Sequence, residues 1–248
     1  MSGPNDRYLI PGTRVLRNKL GITDARTLDE AESDLSMARM NEFLEHPNIK
    51  VDGTVEQLQW IHRYLFQDVY DWAGQTRTVD IHKSGGIPFQ PLKLFAMGAR
   101  YAEETLRGDN QLKGMDHDRF IERLAVDYDN FNVLHPFREG NDRTQRVFWT
   151  LIADEAGWTL DWRQTTADQI RTTSKIAMEQ GNRRPLEAML DRITTSSTEP
   201  GPDMRRDERT MGLADLQIEH MPELDIDDPG PAPGMEDSGM GMGMGMGL

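Results

Sequence analysis

The spacing of apolar residues constrains the fold of this chain more than any other feature of its sequence. In seven segments they recur at every third or fourth position, which is typical of a helix that buries one face. Capping and stop residues, such as Thr54 with Gln57 and the glycines 157 and 181, mark several of the ends. We therefore predict an all-α domain of about six to eight helices, with helical segments at residues 24–45, 54–70, 91–106, 118–133, 142–156, 166–180 and 183–193.

One segment departs from the helical spacing. Residues 77–90 alternate apolar and polar side chains, turn at a Ser-Gly-Gly sequence and return through a second apolar stretch. This pattern predicts a small β-hairpin. Because an isolated hairpin is only marginally stable, we expect this one to be mobile until a substrate docks against it.

The composition changes after about residue 196. Residues 201–248 hold three arginines and eleven acidic residues, which is a net charge of −8 out of −14 for the whole chain. The last residues alternate glycine with methionine, and the stretch before them is too rich in Asp, Pro and Gly to form a core. We predict a globular domain over residues 1–198 and a disordered tail over 199–248, in which a weak helix at 211–219 could form on a partner.

Composition also argues against several classes of function. The chain has 42 acidic and 28 basic residues and no basic stripe, which argues against nucleic acid and membrane surfaces as direct partners. It has no apolar run of about 18 residues and no signal-peptide core. It contains no cysteine, hence no disulfide or thiolate zinc site. The sequence also lacks Walker and kinase motifs. Together these features predict a cytoplasmic bacterial protein.

Twelve residues between two predicted helices carry most of the chain's chemistry. Residues 135–146 read His-Pro-Phe-Arg-Glu-Gly-Asn-Asp-Arg-Thr-Gln-Arg and run from a loop into the start of a helix. Backbone N–H groups at a helix start bind anions, and Gly140 allows the backbone to curve around one. Arg143 and Arg146 are three residues apart, so they share a face and can hold phosphate oxygens together. The pattern predicts a site for a phosphate chain.

Two further side chains in this segment add to the chemistry. Glu139 would be repelled by a phosphate unless a cation lay between them, which predicts Mg²⁺. An imidazole is mostly neutral at pH 7, so His135 could take a proton from an incoming hydroxyl. Taken singly, each residue could be structural, as a loop histidine or a solvated ion pair. Taken together they have no common structural explanation, and we interpret them as one functional site.

The same segment resembles the signature of the Fic family, His-x-Phe-x-Asp/Glu-Gly-Asn-Gly-Arg-x-x-Arg. The similarity continues at residues 8–21, 61–74 and 77–81, and it covers about residues 6–192. It implies the Fic fold and a protein adenylyltransferase, which uses ATP and Mg²⁺ to move AMP onto a Ser, Thr or Tyr hydroxyl of a target protein. The hairpin resembles the Fic flap, which holds an extended stretch of the target by strand pairing.

The resemblance implies a role for most residues of the motif and flap. His135 is the general base, Glu139 holds Mg²⁺, and Phe137 anchors the loop by packing inward. The implied nucleotide-binding residues are Phe137, Arg138, Gly140, Asn141, Asp142, Arg143 and Arg146. The implied target-binding residues of the flap are Val79, Asp80, Ile81 and His82. Lys83 near the flap tip is either a nucleotide ligand or a solvated turn lysine, and we interpret His62 as structural.

One position departs from the family pattern. Asp142 stands where the family usually has glycine. An Asp is favourable at a helix N-cap, but its carboxylate would compete with the nucleotide for the anion site. Two like charges about 5 Å apart repel by roughly 3 kcal/mol at an effective dielectric of about 20, which corresponds to about a hundredfold in binding. The alternative is that Asp142 joins the Mg²⁺ ligands.

Regulation is inferred from a motif that the sequence lacks. Fic proteins are commonly restrained by a helix with the pattern Ser/Thr-x-x-x-Glu-Gly/Asn, whose Glu would pair here with Arg146. The only Glu followed by Gly or Asn in this chain is Glu139 of the motif itself. The resemblance therefore implies a toxin with a small separate antitoxin as partner and a type II topoisomerase subunit as target. Two alternatives stay open: a Fic-like binding partner disabled or retuned by Asp142, and a Fic enzyme that uses another donor.

Overall fold

The computed structural model describes residues 6–44, 50–83, 86–197 and 224–226, with only the backbone for Leu44, Lys83 and residues 224–226. Within these ranges the chain forms seven α-helices and four strands of three residues each. The helices are α1 (Ala25–Leu44), α2 (Val55–Phe66), α3 (Phe95–Gly108), α4 (His117–Leu134), α5 (Asn141–Ala156), α6 (Ala167–Gln180) and α7 (Arg184–Ile193). The strands are β1 (Ile81–Lys83), β2 (Trp158–Leu160), β3 (Thr194–Ser196) and β4 (Leu224–Ile226).

The prediction of an all-α domain is confirmed, and each predicted helical segment holds one helix. The backbone N–H of Gln57 donates to the hydroxyl of Thr54 at 3.1 Å, which caps α2 as the sequence predicts. Gly157 and Gly181 end α5 and α6 in the left-handed conformation, with φ of 87° and 63°. None of the helices in the described ranges is long and apolar enough to cross a membrane.

The core is organised around α4 and α5, the two helices that flank residues 135–140. α5 packs against α2, while α4 packs against α3, α6 and α7. Phe131 of α4 is fully buried against Phe148 and Trp149 of α5, with ring centroids 5.1 and 5.6 Å away. Burying each such ring contributes about 2 kcal/mol, so the two helices hold the intervening loop in a fixed position.

The strands form two small antiparallel pairs. β2 pairs with β3, with Trp158 opposite Ser196, which the sequence did not predict. The predicted hairpin is reduced to β1, an isolated bridge from His82 to Pro88, and a hydrogen bond from the Phe89 N–H to the Ile81 carbonyl at 3.1 Å. The flap is therefore a short strand with a brief return.

Three residues of the predicted tail are described as a strand. Leu224–Ile226 form β4, which pairs antiparallel with β1 so that Ile81 lies opposite Ile226. This short segment has no strand pattern of its own, because its hydrogen-bond partners are supplied by β1. The rest of the predicted tail, including the weak helix at 211–219, lies outside the described residues.

Candidate functional site

Residues 135–140 form a tight loop that lies directly on α2. His135 ends α4 in the left-handed conformation with φ of 42°, and Gly140 precedes α5 with φ of 79°. A Cβ at position 140 would lie 2.5 Å from the ring of Phe66 on α2. Only glycine satisfies both the backbone conformation and this close approach.

His62 of α2 contacts both the backbone and a side chain of the loop. The backbone N–H of Gly74 donates to its Nδ1 at 2.8 Å, so the proton lies on Nε2, which donates to the Glu139 carbonyl at 3.0 Å. Its ring stacks on that of Phe137 with centroids 3.9 Å apart. Burial lowers the pKa of His62 to about 3, so this histidine is neutral at physiological pH. Its role is structural, and it fixes the backbone beside the candidate metal ligand.

Phe137 and Asn141 close the loop from within. The backbone N–H of Phe137 donates to Oδ1 of Asn141 at 2.9 Å, and Nδ2 donates back to the Phe137 carbonyl at 2.8 Å. The Phe137 ring is fully buried. Both ends of the Asn141 amide are thus engaged in shaping the loop, and its contact with a phosphate stays a prediction.

Arg77 joins the flap to the loop. Its backbone N–H donates to the Pro136 carbonyl at 2.8 Å, and its Nε donates to the His135 carbonyl at 2.9 Å. Its two terminal nitrogens donate to the carbonyls of Val79, at 2.8 Å, and Gln90. The guanidinium is buried, so one side chain satisfies three carbonyls and holds the base of the flap against the loop.

The imidazole of His135 lies beneath the flap. It is 1% exposed and stacks on the Phe89 ring with centroids 3.7 Å apart and planes 12° from parallel. Because Phe89 also hydrogen bonds to β1, this ring connects the flap strand to the imidazole.

The side chain of Arg143 binds to side chains of α1. It forms a buried ion pair with Glu32, whose other carboxylate oxygen accepts a hydrogen bond from the Tyr70 hydroxyl. Its Nη1 donates to the Ser36 hydroxyl at 2.8 Å, and its guanidinium lies 4.9 Å from the centroid of the Phe66 ring. Burial acts to lower the pKa of Arg143, but nearby carboxylates raise it above its usual value. The structure therefore separates the roles of the two motif arginines.

Glu139 has the environment of a cation ligand. Its Oε1 accepts a hydrogen bond from the Gly140 N–H at 2.9 Å. Burial, and secondly the Glu32 carboxylate, raise the pKa of Glu139 to about 7. A nearby cation would favour the ionised carboxylate, and Mg²⁺ commonly uses one or two protein carboxylates together with phosphate oxygens. Glu139 fits that mode, whereas the described residues contain no cluster of three or more acidic or histidine ligands.

Arg146 is the second buried arginine near the start of α5. It is 6% exposed, and its Nε has no hydrogen-bond partner among the described residues. Burial lowers its pKa, against the opposing effects of Asp142 and Tyr128. The N-cap residue of α5 is Gly140, which has no side chain that could cap the helix. A poorly compensated guanidinium thus lies near a helix N-terminus, and both features favour an anion.

Asp142 does not lie at the N-cap, which corrects the prediction. α5 begins at Asn141 with Gly140 as its N-cap, so Asp142 is the second residue of the helix and half-buried. Its favourable local interaction is therefore with the helix dipole rather than through a capping geometry. Its carboxylate stands one helical turn before Arg146, within the region that favours an anion.

The remaining predicted residues lie around this centre. Arg138 pairs with Asp6 at 3.3 Å, with both side chains buried, so its contact with a nucleotide stays a prediction. Asp80 accepts a hydrogen bond from the Leu92 N–H at 2.7 Å, and the Lys83 side chain lies outside the described atoms. The other flap residues lie in or beside β1: Val79, Ile81 and His82.

Sequence reasoning missed the supporting roles of Arg77 and Glu32. Glu32 follows Leu28 by one helical turn, so it lies on the apolar face of α1. A charged residue on such a face indicates a buried charge with a partner. Arg77 carried no such signal, because its acceptors are backbone carbonyls from three separate parts of the chain.

The chain belongs to the Fic/DOC family, whose model matches residues 52–153. It is 38% identical over 158 residues to the probable protein adenylyltransferase Fic of Salmonella typhimurium, covering 64% of this chain and 77% of that protein. It is 34% identical over 225 residues to the protein adenylyltransferase VbhT of Bartonella schoenbuchensis. That match covers 91% of this chain but 45% of VbhT, so the chain spans less than half the length of that relative.

Solved structures confirm the Fic fold. BepC of Bartonella tribocorum with bound AMPPNP has a TM-score of 0.74 at 29% identity, covering 78% of this chain and 99% of that chain. The N-terminal Fic domain of a VirB-translocated effector of Bartonella quintana with bound ADP also has a TM-score of 0.74, at 26% identity, covering 77% and 95%. These two relatives hold adenine nucleotides.

Proposed function

We propose that this chain transfers AMP from ATP to a hydroxyl group of a protein. The observation that carries the proposal is the buried Arg146 near the start of α5, eleven residues after His135, whose Nε has no hydrogen-bond partner among the described residues. A triphosphate supplies the anion that this helix end favours. The names of the relatives, protein adenylyltransferases, and the nucleotides in two neighbouring structures support the choice of ATP.

In the proposed reaction His135 takes the proton of the incoming hydroxyl as the new bond to the α-phosphorus forms. The bond from that phosphorus to the β-phosphate oxygen breaks, and pyrophosphate leaves. Arg146 and the backbone donors of α5 hold the phosphates, while Arg143 acts through α1 as a positioning residue. Glu139 would hold Mg²⁺, which when bound neutralises phosphate charge. Such catalysis is mostly positioning and electrostatic stabilisation.

A second candidate function follows from Asp142. Its carboxylate lies at the helix end that would receive the phosphates. The alternative is a Fic-like protein whose transferase activity is altered or lost because of Asp142, and which acts as a binding partner or uses another donor. Stronger ATP binding on removal of this carboxylate favours the crowding interpretation, and weaker binding favours a role as metal ligand.

We further propose that the activity is restrained in trans. The Ser/Thr-x-x-x-Glu-Gly/Asn pattern is absent from the chain, so the glutamate that would pair with Arg146 would come from a small antitoxin. A type II topoisomerase subunit is the proposed target. Coexpression tests this: an antitoxin helix with the pattern should relieve growth arrest caused by the chain, and a version with its Glu changed to Ala should not.

The transfer itself is tested with His135→Ala and ATP radiolabelled at the α-phosphate, in a bacterial lysate that supplies protein acceptors. We expect loss of label on protein by about a hundredfold or more, with ATP affinity nearly unchanged because the imidazole acts on the hydroxyl. His117→Ala, a change at the partly exposed start of α4, is the matched control and should leave transfer unchanged. Equal labelling by the parent and His135→Ala would remove His135 from the mechanism.

A further inference from the structure

Both edges of β1 are engaged in pairing. On one edge, the Phe89 N–H donates to the Ile81 carbonyl and His82 forms its bridge with Pro88. Successive residues of a strand direct their backbone groups to opposite edges, so the N–H and carbonyl of His82 face the other edge. There Asp225 of β4 lies directly opposite His82 in the antiparallel register.

β1 lies between β4 and Phe89, the residue that stacks on the candidate general base. Phe89 links β1 to His135 by a backbone hydrogen bond on one side and ring stacking on the other. A strand added to a sheet edge is held mainly by main-chain hydrogen bonds, so segments of different sequence compete for the same edge. β4 therefore takes the place that an extended target segment would take on the flap.

β4 pairs like a target but offers no group to modify. Residues 211–237 contain no Ser, Thr or Tyr. The nearest hydroxyls in sequence are Thr210, fourteen residues before the strand, and Ser238, twelve residues after it.

We propose that Leu224–Ile226 is an intrachain competitor for the flap edge, a strand that docks as a target would and excludes targets without being modified. The role as competitor rests on the proposed function of the flap, whereas the docking itself rests on the β1–β4 register. Because β4 belongs to the same chain, its effective concentration at β1 exceeds that of a free target. A target then has to displace β4 before its hydroxyl reaches His135.

The docking is tested in the full chain with Asp225→Pro. Proline removes the backbone N–H opposite His82 and does not fit inside a paired strand. Asp215→Pro makes the same change ten residues earlier and is the matched control. The measurement is amide hydrogen exchange by NMR. We expect exchange at His82 to become about tenfold faster or more in Asp225→Pro, with no change in Asp215→Pro and none at Phe131 of the core in either variant. Equal exchange at His82 in all three proteins would overturn the docking.

The competition is tested by placing a hydroxyl in the docked segment. The variants are Asp225→Ser, Asp227→Ser and Asp228→Ser, with Asp215→Ser as control, each incubated with ATP and Mg²⁺ and measured by mass spectrometry. We expect AMP on the tail of at least one of the three and none on the control. Labelling of other proteins without any labelling of these tails would overturn the competitor role. No labelling of any protein by any variant would contradict the proposed function, and the docking would then be decided by hydrogen exchange alone.

Discussion

At the scale of single residues, the site depends on how its buried charges are compensated. Arg143 has the carboxylate of Glu32 from another helix. Burial lowers the pKa of Arg146, and the charges of Asp142, on the same helix, and of Tyr128 offset this effect only in part. Asp142, which distinguishes this chain from the family pattern, therefore raises the pKa of Arg146, the arginine that we propose for phosphate binding.

Asp142→Gly should tighten the binding of ATP with Mg²⁺ by about tenfold or more, measured by calorimetric titration. Even half of a repulsion of about 3 kcal/mol exceeds the roughly 1.4 kcal/mol that a factor of ten requires. The gain should shrink for AMP, which lacks the β- and γ-phosphates. Unchanged or weaker ATP binding would contradict crowding and favour Asp142 as a metal ligand.

Asp168→Gly is the matched control, because Asp168 is the second residue of α6 just as Asp142 is the second residue of α5. Glycine in the first turn loses helix propensity and the interaction with the dipole, so each variant should lose about 1 kcal/mol of stability. Only the change at position 142 should alter ATP binding.

The sequence predicted the chemistry of the motif better than the partners of its side chains. The spacing of Arg143 and Arg146 correctly placed them on one helix, but it could not reveal that Glu32 lies within reach of only the first. The partner of a buried charge comes from tertiary packing, and Glu32 stands 111 residues away in the chain.

At the scale of elements, the Glu32–Arg143 pair links α1 to α5. Glu32→Gln should destabilise the protein by about 3 kcal/mol, because it leaves a buried guanidinium without its counter-charge. Glu30→Gln on the same helix is the control, since Glu30 pairs with Arg26 where both side chains are largely exposed, and it should cost less than about 0.5 kcal/mol. Chemical denaturation measures both. Equal effects of the two changes would show that the buried pair does not hold α1 in place.

α4 carries a carboxyl group that should make stability depend on pH. Burial, and secondly the Asp109 carboxylate, raise the pKa of Asp127 from 3.8 to about 8. Between these values the folded state binds one more proton than the unfolded state, so the free energy of unfolding falls as pH rises, by up to about 1.4 kcal/mol per unit. Asp127→Asn should remove this contribution between about pH 4 and 8. Denaturation across that range measures it.

The control for this prediction is Asp118→Asn, a change at a fully exposed position of the same helix. It should keep the pH dependence of the parent. Parallel curves for the parent and Asp127→Asn would mean that the carboxyl at position 127 ionises in the folded protein as it does in the unfolded chain.

The helices were predictable because each carries its own apolar periodicity, and α2 and α6 also carry Thr caps. The strands were not, apart from the flap. β2, β3 and β4 have three residues each, too few for an alternating pattern to be recognised, and each exists through its pairing with a distant segment.

At the scale of the whole molecule, three parts of the fold meet at the loop that begins with His135. α4 and α5 hold the loop, α2 supports it through His62 and Phe66, and Arg77 holds the flap above it. In the tail, β4 pairs with β1 of the flap. The loop with His135, the flap strand β1 and β4 are therefore connected by backbone hydrogen bonds as well as by side-chain packing.

The proposed binding of ATP phosphates at the start of α5 depends on Arg146. Calorimetric titration of the parent and of Arg146→Ala with ATP and with AMP, in the presence of Mg²⁺, tests it most directly. Arg26→Ala, which removes a largely exposed arginine, controls for net charge. We expect ATP to bind Arg146→Ala at least about tenfold more weakly than the parent, because a charge-assisted hydrogen bond is lost, with a smaller change for AMP and none for Arg26→Ala. The same ATP affinity in the parent and Arg146→Ala would contradict the account.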